Sequence, residues 1–394
     1  MFKSVRLPRT SLTSLVKPSK TYKHATFSTS VVLRERNPLR KNNTESVPGM
    51  ETIKRTVAEN FGGAAQNLTP NDSQKFDAEK DIPDQSGKVA VITGGSEGIG
   101  YGAAFMLLKN NLKKLYILSP SQEVFDGCLK DITEKLGADK AQRVTYISLD
   151  LGDLEAVTKA AKQISDSEER LDILCLNGAR GIMTYQLEPK SQIDRHMMVN
   201  HVGHVTLTSH LLPLLKKTSE HSTVRIHSQS SNAHQSVPKD LKFASIDELN
   251  QDLGPQTQYG RSKLASLLYA RYLDRHLHKS HPNILINATH PGFVSTKMSK
   301  DDIHEPYPIA GYAMSAGMEP FKKDQWEGAV SMLYVATKTE KSGEYICPPA
   351  ISEPGNEAAQ DAELGESLMK LTREIVRTKY GAQSVDKGCP LKDY

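Results

Sequence analysis

The sequence predicts a doubly wound α/β domain, a seven-stranded parallel sheet with helices on both faces. Three observations predict it. Seven short β-rich runs, at 88–93, 115–118, 144–149, 171–176, 224–227, 284–289 and 343–346, alternate with amphipathic helical stretches. A glycine-rich stretch joins the first run directly to the first helical stretch. The chain has 394 residues and 38% apolar composition, enough to bury a sizeable core.

Taken in order, residues 1–34 contain no acid and are rich in Ser, Thr, Lys and Arg. This is the composition of a mitochondrial transit peptide, whose cationic helix is drawn inward by receptors and membrane potential. Delivery to the mitochondrial matrix is expected, with a plain basic tail as the alternative. Residues 35–86 mix Asn, Pro, Gly, Ser and charges around one helix-like piece at 51–60, and read as a linker or packing arm. The catalytic domain is expected over 87–385, with a short tail at 386–394.

Charge and composition exclude several functions. Residues 1–41 hold ten Lys/Arg against the single acid Glu35; the remainder carries 40 basic and 45 acidic residues, so the formal +4 of the whole chain becomes −5. An acidic body gives nucleic acid no broad basic surface. No run approaches 18 apolar residues, so no transmembrane helix is expected. Cys128, Cys175, Cys347 and Cys389 form no CxxC pair and read as reduced thiols. The thirteen histidines, including His201/His204 and His276/His278/His281, lack a convincing ligand set, so no metal site is expected.

The first strand runs into Thr93-Gly94-Gly95-Ser96-Glu97-Gly98-Ile99-Gly100. Glycines there let backbone approach a pyrophosphate, and the following helix N-terminus supplies oriented N–H donors. Farther on, Tyr259 and Lys263 are four apart on a helix whose Leu264, Leu267, Leu268 and Tyr272 recur at helical spacing, so both can face one cleft. A free tyrosine ionises near pH 10, and proton exchange near neutrality needs ionisation about 4 kcal/mol easier. A nearby ammonium and an oxidised nicotinamide both favour the phenolate.

Thr93-Gly94-x-x-x-Gly98-x-Gly100, Ser231 at a strand end, Tyr259-x-x-x-Lys263 and Pro291-Gly292 after the sixth strand resemble, in that order, the short-chain dehydrogenase/reductase family over roughly 87–375. Asn200-His201-Val202-Gly203-His204 and Ser262-Lys263-Leu264-Ala265 are most similar to its retinol-dehydrogenase-like branch, and the leader to fungal mitochondrial members. The resemblance implies a Rossmann-type domain binding NADP or NAD, with a lean to NADP. It implies that Asn200, Ser231, Tyr259 and Lys263 are catalytic. Ser231 would align the substrate oxygen, and Asn200 would hold a water linking Lys263 to solvent. The cofactor would be held by Thr93, Gly94, Ser96, Gly98, Ile99, Gly100, Asp150, Asn177, Tyr259, Lys263, Pro291 and Gly292. Asp150 either bonds the adenine or caps the next helix.

Three departures from the family pattern stand out. The turn after the fourth strand is Leu176-Asn177-Gly178-Ala179, with Asn177 keeping its role. A long separation of Ser231 from Tyr259 implies an insertion near the substrate mouth. The second strand ends Leu118-Ser119-Pro120-Ser121, with neither an acid for a ribose 2′-hydroxyl nor an Arg for a 2′-phosphate; the missing acid leans toward NADP, and Glu97 beside the site leans against it. The expected activity is reversible hydride transfer between nicotinamide and a small alcohol or carbonyl, in a chain that also admits homodimers. The rival reading is a cofactor-sensing binding protein on the same fold. Residues 303–322, expected to cover the substrate, carry no chemical signature.

Overall fold

The structure is a computed structural model that describes residues 76–294 and 323–381. The leader, the 51–60 piece, most of the loop after Val294 (including 303–322), Cys389 and the 386–394 tail lie outside the described residues. In chain order the main elements are β1 (Val89–Thr93), α1 (Gly98–Lys109), β2 (Lys114–Ser119), α2 (Gln122–Leu136), β3 (Val144–Ser148), α3 (Leu154–Ser167), β4 (Ile173–Leu176), α4 (Gly203–Ser219), β5 (Val224–Gln229), α5 (Pro255–Leu277), β6 (Ile284–Thr289), α6 (Gln325–Thr337), β7 (Tyr345–Cys347), β8 (Ile351–Glu353) and α7 (Ala362–Tyr380).

The strands lie in the order β3-β2-β1-β4-β5-β6-β7-β8. All seven strands expected from the sequence pair in parallel, and the sheet gains an eighth that runs antiparallel to β7, with Tyr345 opposite Glu353. This corrects the count of seven. β8 has only three residues, none of them buried, so it offers neither an apolar run nor a measurable alternation. β1 is Val-Ala-Val-Ile-Thr with every residue buried, as a central parallel strand covered on both faces requires.

Two apolar layers flank the sheet. Leu174, Leu176 and Ile226 face α3, α4, α5 and α7, and Ala90, Ile92 and Cys175 face α1, α2 and α6. α5 is buried almost all round, because the sheet lies under it and α7 over it. Before β1, Phe76 and Ile82 are buried, Phe76 standing edge-on to Tyr334 at 5.6 Å, and Gln85 N donates to Asn110 O. Cys128 and Cys175 are free and buried, and Cys347 is buried. Burial pushes the thiols of Cys128 and Cys175 up to about 12, far from a reactive thiolate.

The chain turns back on itself between β1 and β4: β2 and β3 build one way from β1, and β4 to β8 build the other. In an open α/β sheet that reversal leaves a crevice beyond the carboxyl ends of the strands.

Candidate active site

A cleft of about 500 Å³ occupies the reversal, lined among others by Gly94, Ser96, Gly98, Ile99, Asp150 and Asn177, and on its other side by Tyr259, Lys263 and Pro291. The glycine turn forms its floor. Gly94 and Gly98 have φ of +63° and +56°, where a side chain is strained. A Cβ on Gly94 would stand 2.8 Å from Gly178 Cα, and one on Gly100 would stand 2.2 Å from Gly94 O. α1 has no side-chain cap and no acid in its first turn. The N-cap residue, Glu97, lines the cleft but its carboxylate makes no cap bond, so the first N–H groups of α1 are not taken up by a side chain.

Thr93, fully buried, braces this floor from behind. Its Oγ1 accepts from Asn177 N and Gly178 N, both at 2.9 Å, while Asn177 Nδ2 donates to Thr93 O at 3.0 Å and Gly94 O at 3.2 Å. Asn177 thus ties the ends of β1 and β4 together. Asp150 lines the cleft, where its Oδ1 accepts from Gly152 N at 2.8 Å and its Oδ2 pairs with Arg195 at 2.9 Å. The cap of α3 is Asp153, which accepts from Glu155 N and Ala156 N; of the two readings of Asp150, the cap is excluded.

Lys263 is buried, and its Nζ donates to Gln229 O at 3.0 Å and lies 5.5 Å from the centre of the half-buried Tyr259 ring. Burial pushes its ammonium down to about 7. Ser231 lies two residues beyond β5 and caps a 3₁₀ turn over Asn232–Ser236, its Oγ accepting from Ala233 N at 3.2 Å. That turn lies against α5: a Cβ on Gly260, beside Tyr259, would be 2.4 Å from Ala233 O. At this point the cleft wall is formed by Gln229 and Ser230, with Ser231 one residue beyond.

Asn200 sits behind the wall in a π turn, Met198–Val202. Its Oδ1 accepts from Arg180 N at 2.7 Å, and its Nδ2 donates to Arg180 O at 3.0 Å and Ser262 Oγ at 2.8 Å. Ser262 Oγ in turn donates to Tyr259 O at 2.7 Å. Thr93, Gly100 and Asn200 stand behind the lining and Ser231 and Gly292 border it, next in the chain to Ser230 and Pro291, whereas Met183, Arg180 and Arg195, which the sequence did not single out, do line it. Only their place after β4 and before α4 could have flagged them.

The insertion before Tyr259, expected near the substrate mouth, contributes no lining to the described cleft. No residue of 232–254 lines the cleft. Glu248 folds the insertion on itself by accepting from Lys242 N, Phe243 N and Ala244 N, and fully buried Arg261 anchors it through Glu248 O and Leu249 O. Among the described residues no group of three or more His, Cys, Asp or Glu is placed to hold a metal ion. None of the described helices is long and apolar enough to cross a membrane.

Residues 88–239 match the family model described as short chain dehydrogenase. A relative in Neurospora crassa that carries the name of a mitochondrial oxidoreductase, bli-4, is 54% identical over 351 residues, covering 88% of this chain and 84% of its own. An oxidoreductase of Schizosaccharomyces pombe is 31% identical over 314 residues, covering 77% of this chain and 89% of its own. Among solved structures, a protein from Mycobacterium paratuberculosis matches 77% of this chain and 98% of its own with a TM-score of 0.58 at 23% identity. L-sorbose reductase from Gluconobacter frateurii, complexed with NADPH and L-sorbose, matches 67% and 95% with a TM-score of 0.52 at 21% identity. These two likenesses are of fold.

Proposed function

The chain belongs to the short-chain dehydrogenase/reductase family and is an NAD(P)-dependent oxidoreductase, and we propose that Tyr259 exchanges the proton in its interconversion of an alcohol and a carbonyl compound. The observation that carries this reading is the pairing of Tyr259 with a buried Lys263 opposite a glycine floor too tight for any Cβ.

The residues fit a dinucleotide. Gly94, Ser96, Gly98 and Ile99 with the uncapped start of α1 would hold its pyrophosphate, Asp150 its adenine, and Lys263 and Pro291 its nicotinamide half. When bound, that cofactor supplies or takes up the hydride. Tyr259 holds its hydroxyl at the cleft wall and exchanges the proton of the substrate oxygen. Lys263, as ammonium, favours the phenolate form of Tyr259. The Ser231 hydroxyl accepts from Ala233 N and keeps its own proton to donate to that oxygen. Asn200 fixes the backbone of Arg180 and the start of the Tyr259–Lys263 turn.

At the β2 end the cleft is lined by Ser119, Pro120 and Ser121, with no carboxylate at this strand end for a ribose 2′-hydroxyl, which supports a preference for NADP over NAD. Titrating the purified protein with NADPH and NADH, then screening carbonyl compounds for loss of reduced-cofactor absorbance, tests both statements. Tyr259→Phe should abolish turnover and leave cofactor affinity nearly intact; turnover within about tenfold of the parent, or about 1.4 kcal/mol, would sink the assignment. Lys263→Met should lose both turnover and affinity.

We also place the protein in the mitochondrial matrix, delivered by residues 1–34 as a transit peptide. The acid-free basic leader and the name of the Neurospora crassa relative support this. A reporter fused to residues 1–40 should enter mitochondria, and a chain begun at Met50 should stay cytosolic and active; a cytosolic reporter or an inactive Met50 chain would contradict the respective half.

A further inference from the structure

His204 is a residue to which the reading above gives no part. It is buried at 5% exposure on the first turn of α4, between the glycine floor and the π turn. Its Nε2 lies 2.9 Å from Thr93 Oγ1 and its Nδ1 lies 3.2 Å from Asn200 O. Counting the donors and acceptors around the ring favours one tautomer. Asn200 O can only accept, so Nδ1 carries the proton. Thr93 Oγ1 already accepts from Asn177 N and Gly178 N, which fills its lone pairs and leaves one hydroxyl proton to give. Two acceptors face that proton, His204 Nε2 at 2.9 Å and Cys175 O at 3.3 Å, and the shorter contact favours the ring. A second proton on the ring would put two donors face to face, so the ring is neutral. Burial acts the same way, pushing it down to about 3, with Lys263 adding a smaller repulsion.

We propose that His204, as the neutral Nδ1–H tautomer, is a positioning residue that holds the Asn200 carbonyl to the nucleotide floor, and through Asn200 and Ser262 sets the backbone of Tyr259. This rests on Tyr259 and Lys263 being the proton-exchange pair. The hydrogen bonds run without a break: Thr93 Oγ1 to His204, His204 to Asn200 O, Asn200 Nδ2 to Ser262 Oγ, and Ser262 Oγ to Tyr259 O. They connect a residue of β1 to the Tyr259–Lys263 turn of α5. A leucine would fill much of the space of the ring and make neither bond. An asparagine would keep a donor near the Nδ1 position, and so the bond to Asn200 O.

Two measurements test this, the first independent of turnover. In ¹⁵N-histidine-labelled protein, His204 should show a protonated Nδ1 and a bare Nε2 unchanged over about pH 5–8; an Nε2–H tautomer, or a ring that titrates near 6.5, would overturn the proposal. With the carbonyl substrate found by the screen, His204→Leu should lower kcat at saturating cofactor by at least about tenfold, change the cofactor Kd far less, and be largely rescued in His204→Asn. Because His204 acts through Asn200, adding His204→Leu to Asn200→Ala should cost little beyond Asn200→Ala alone. An unchanged kcat in His204→Leu, or losses that multiply in the double variant, would refute the positioning role. If His204→Leu does not fold, the tautomer and its pH response, measured on the wild-type protein, still decide the proposal. A wild-type protein without turnover, but with the expected tautomer, would instead count against the reading of Tyr259.

Discussion

Replacing Thr93 with valine changes shape little and hydrogen bonding greatly. Thr93 is fully buried, and its Oγ1 accepts from Asn177 N and Gly178 N and bonds His204 Nε2. Valine fills the same volume, so no cavity term arises, but two N–H donors and one ring nitrogen lose their partner. An orphaned buried polar group costs about 1–3 kcal/mol. Asn177 and Gly178 line the cleft and water reaches part of that turn, so the lower end applies, giving about 3 kcal/mol in all. At roughly 2 °C per kcal/mol for a domain of this size, Thr93→Val should melt about 6 °C below the parent. Thr93→Ser keeps the oxygen and loses one buried methyl, about 1 kcal/mol. The comparison by urea and thermal unfolding isolates the hydroxyl. The same turn carries the floor, so Thr93→Val should also weaken NADPH binding and Thr93→Ser should not. Equal stability of the two variants, within about 0.5 kcal/mol, would refute the claim that this oxygen organises the floor.

Three further outcomes follow from the same geometry. Gly100→Ala should reduce cofactor affinity at least about tenfold, because its Cβ would lie 2.2 Å from Gly94 O and displace the floor; an unchanged titration curve contradicts this. Arg261→Met should destabilise by about 3–5 kcal/mol, since it leaves buried Asp194, 3.9 Å away, without its cation; an unfolding midpoint near that of the parent would deny the pair its role. Burial pushes His201, His204, His227 and His290 down to about 3, whereas the unfolded chain takes up these protons near 6.5. The unfolded state then binds more protons below about 6.5, so stability should fall with pH from about 6.5 toward 3, by up to about 1.4 kcal/mol per pH unit for each ring; a Tm flat between about pH 7 and 5 would contradict the burial of neutral rings.

What the sequence revealed was what lies within a turn or two along the chain. The strand–glycine–helix succession and the four-residue spacing of Tyr259 and Lys263 each depend on local geometry, and the structure sets them around one cleft. β8 escaped because three half-exposed residues after two prolines leave no periodicity. The insertion was placed at the mouth because its length was visible and its anchor was not. Arg261 reads as one more polar helix position, yet it is fully buried with its guanidinium on Glu248 O and Leu249 O.

The same limit explains why the sequence shows His204 as part of a motif and as a weak metal candidate but assigns it no role. Its partner Thr93 is 111 residues away, and a sequence records neither that proximity nor which ring nitrogen holds the proton. Once the fold brings the groups together, counting donors and acceptors favours one tautomer. A carbonyl cannot donate, a threonine has one proton, and two backbone N–H groups already occupy its lone pairs. A histidine is the side chain that offers a donor and an acceptor on opposite edges of one rigid ring, which is what a bridge between a hydroxyl and a carbonyl needs. The bridge is therefore specific to His204 in chemistry although nothing in its neighbourhood along the chain requires it. The glycine floor and the Tyr259–Lys263 turn, which the sequence presents as separate motifs, are in the folded protein linked through Thr93, His204, Asn200 and Ser262.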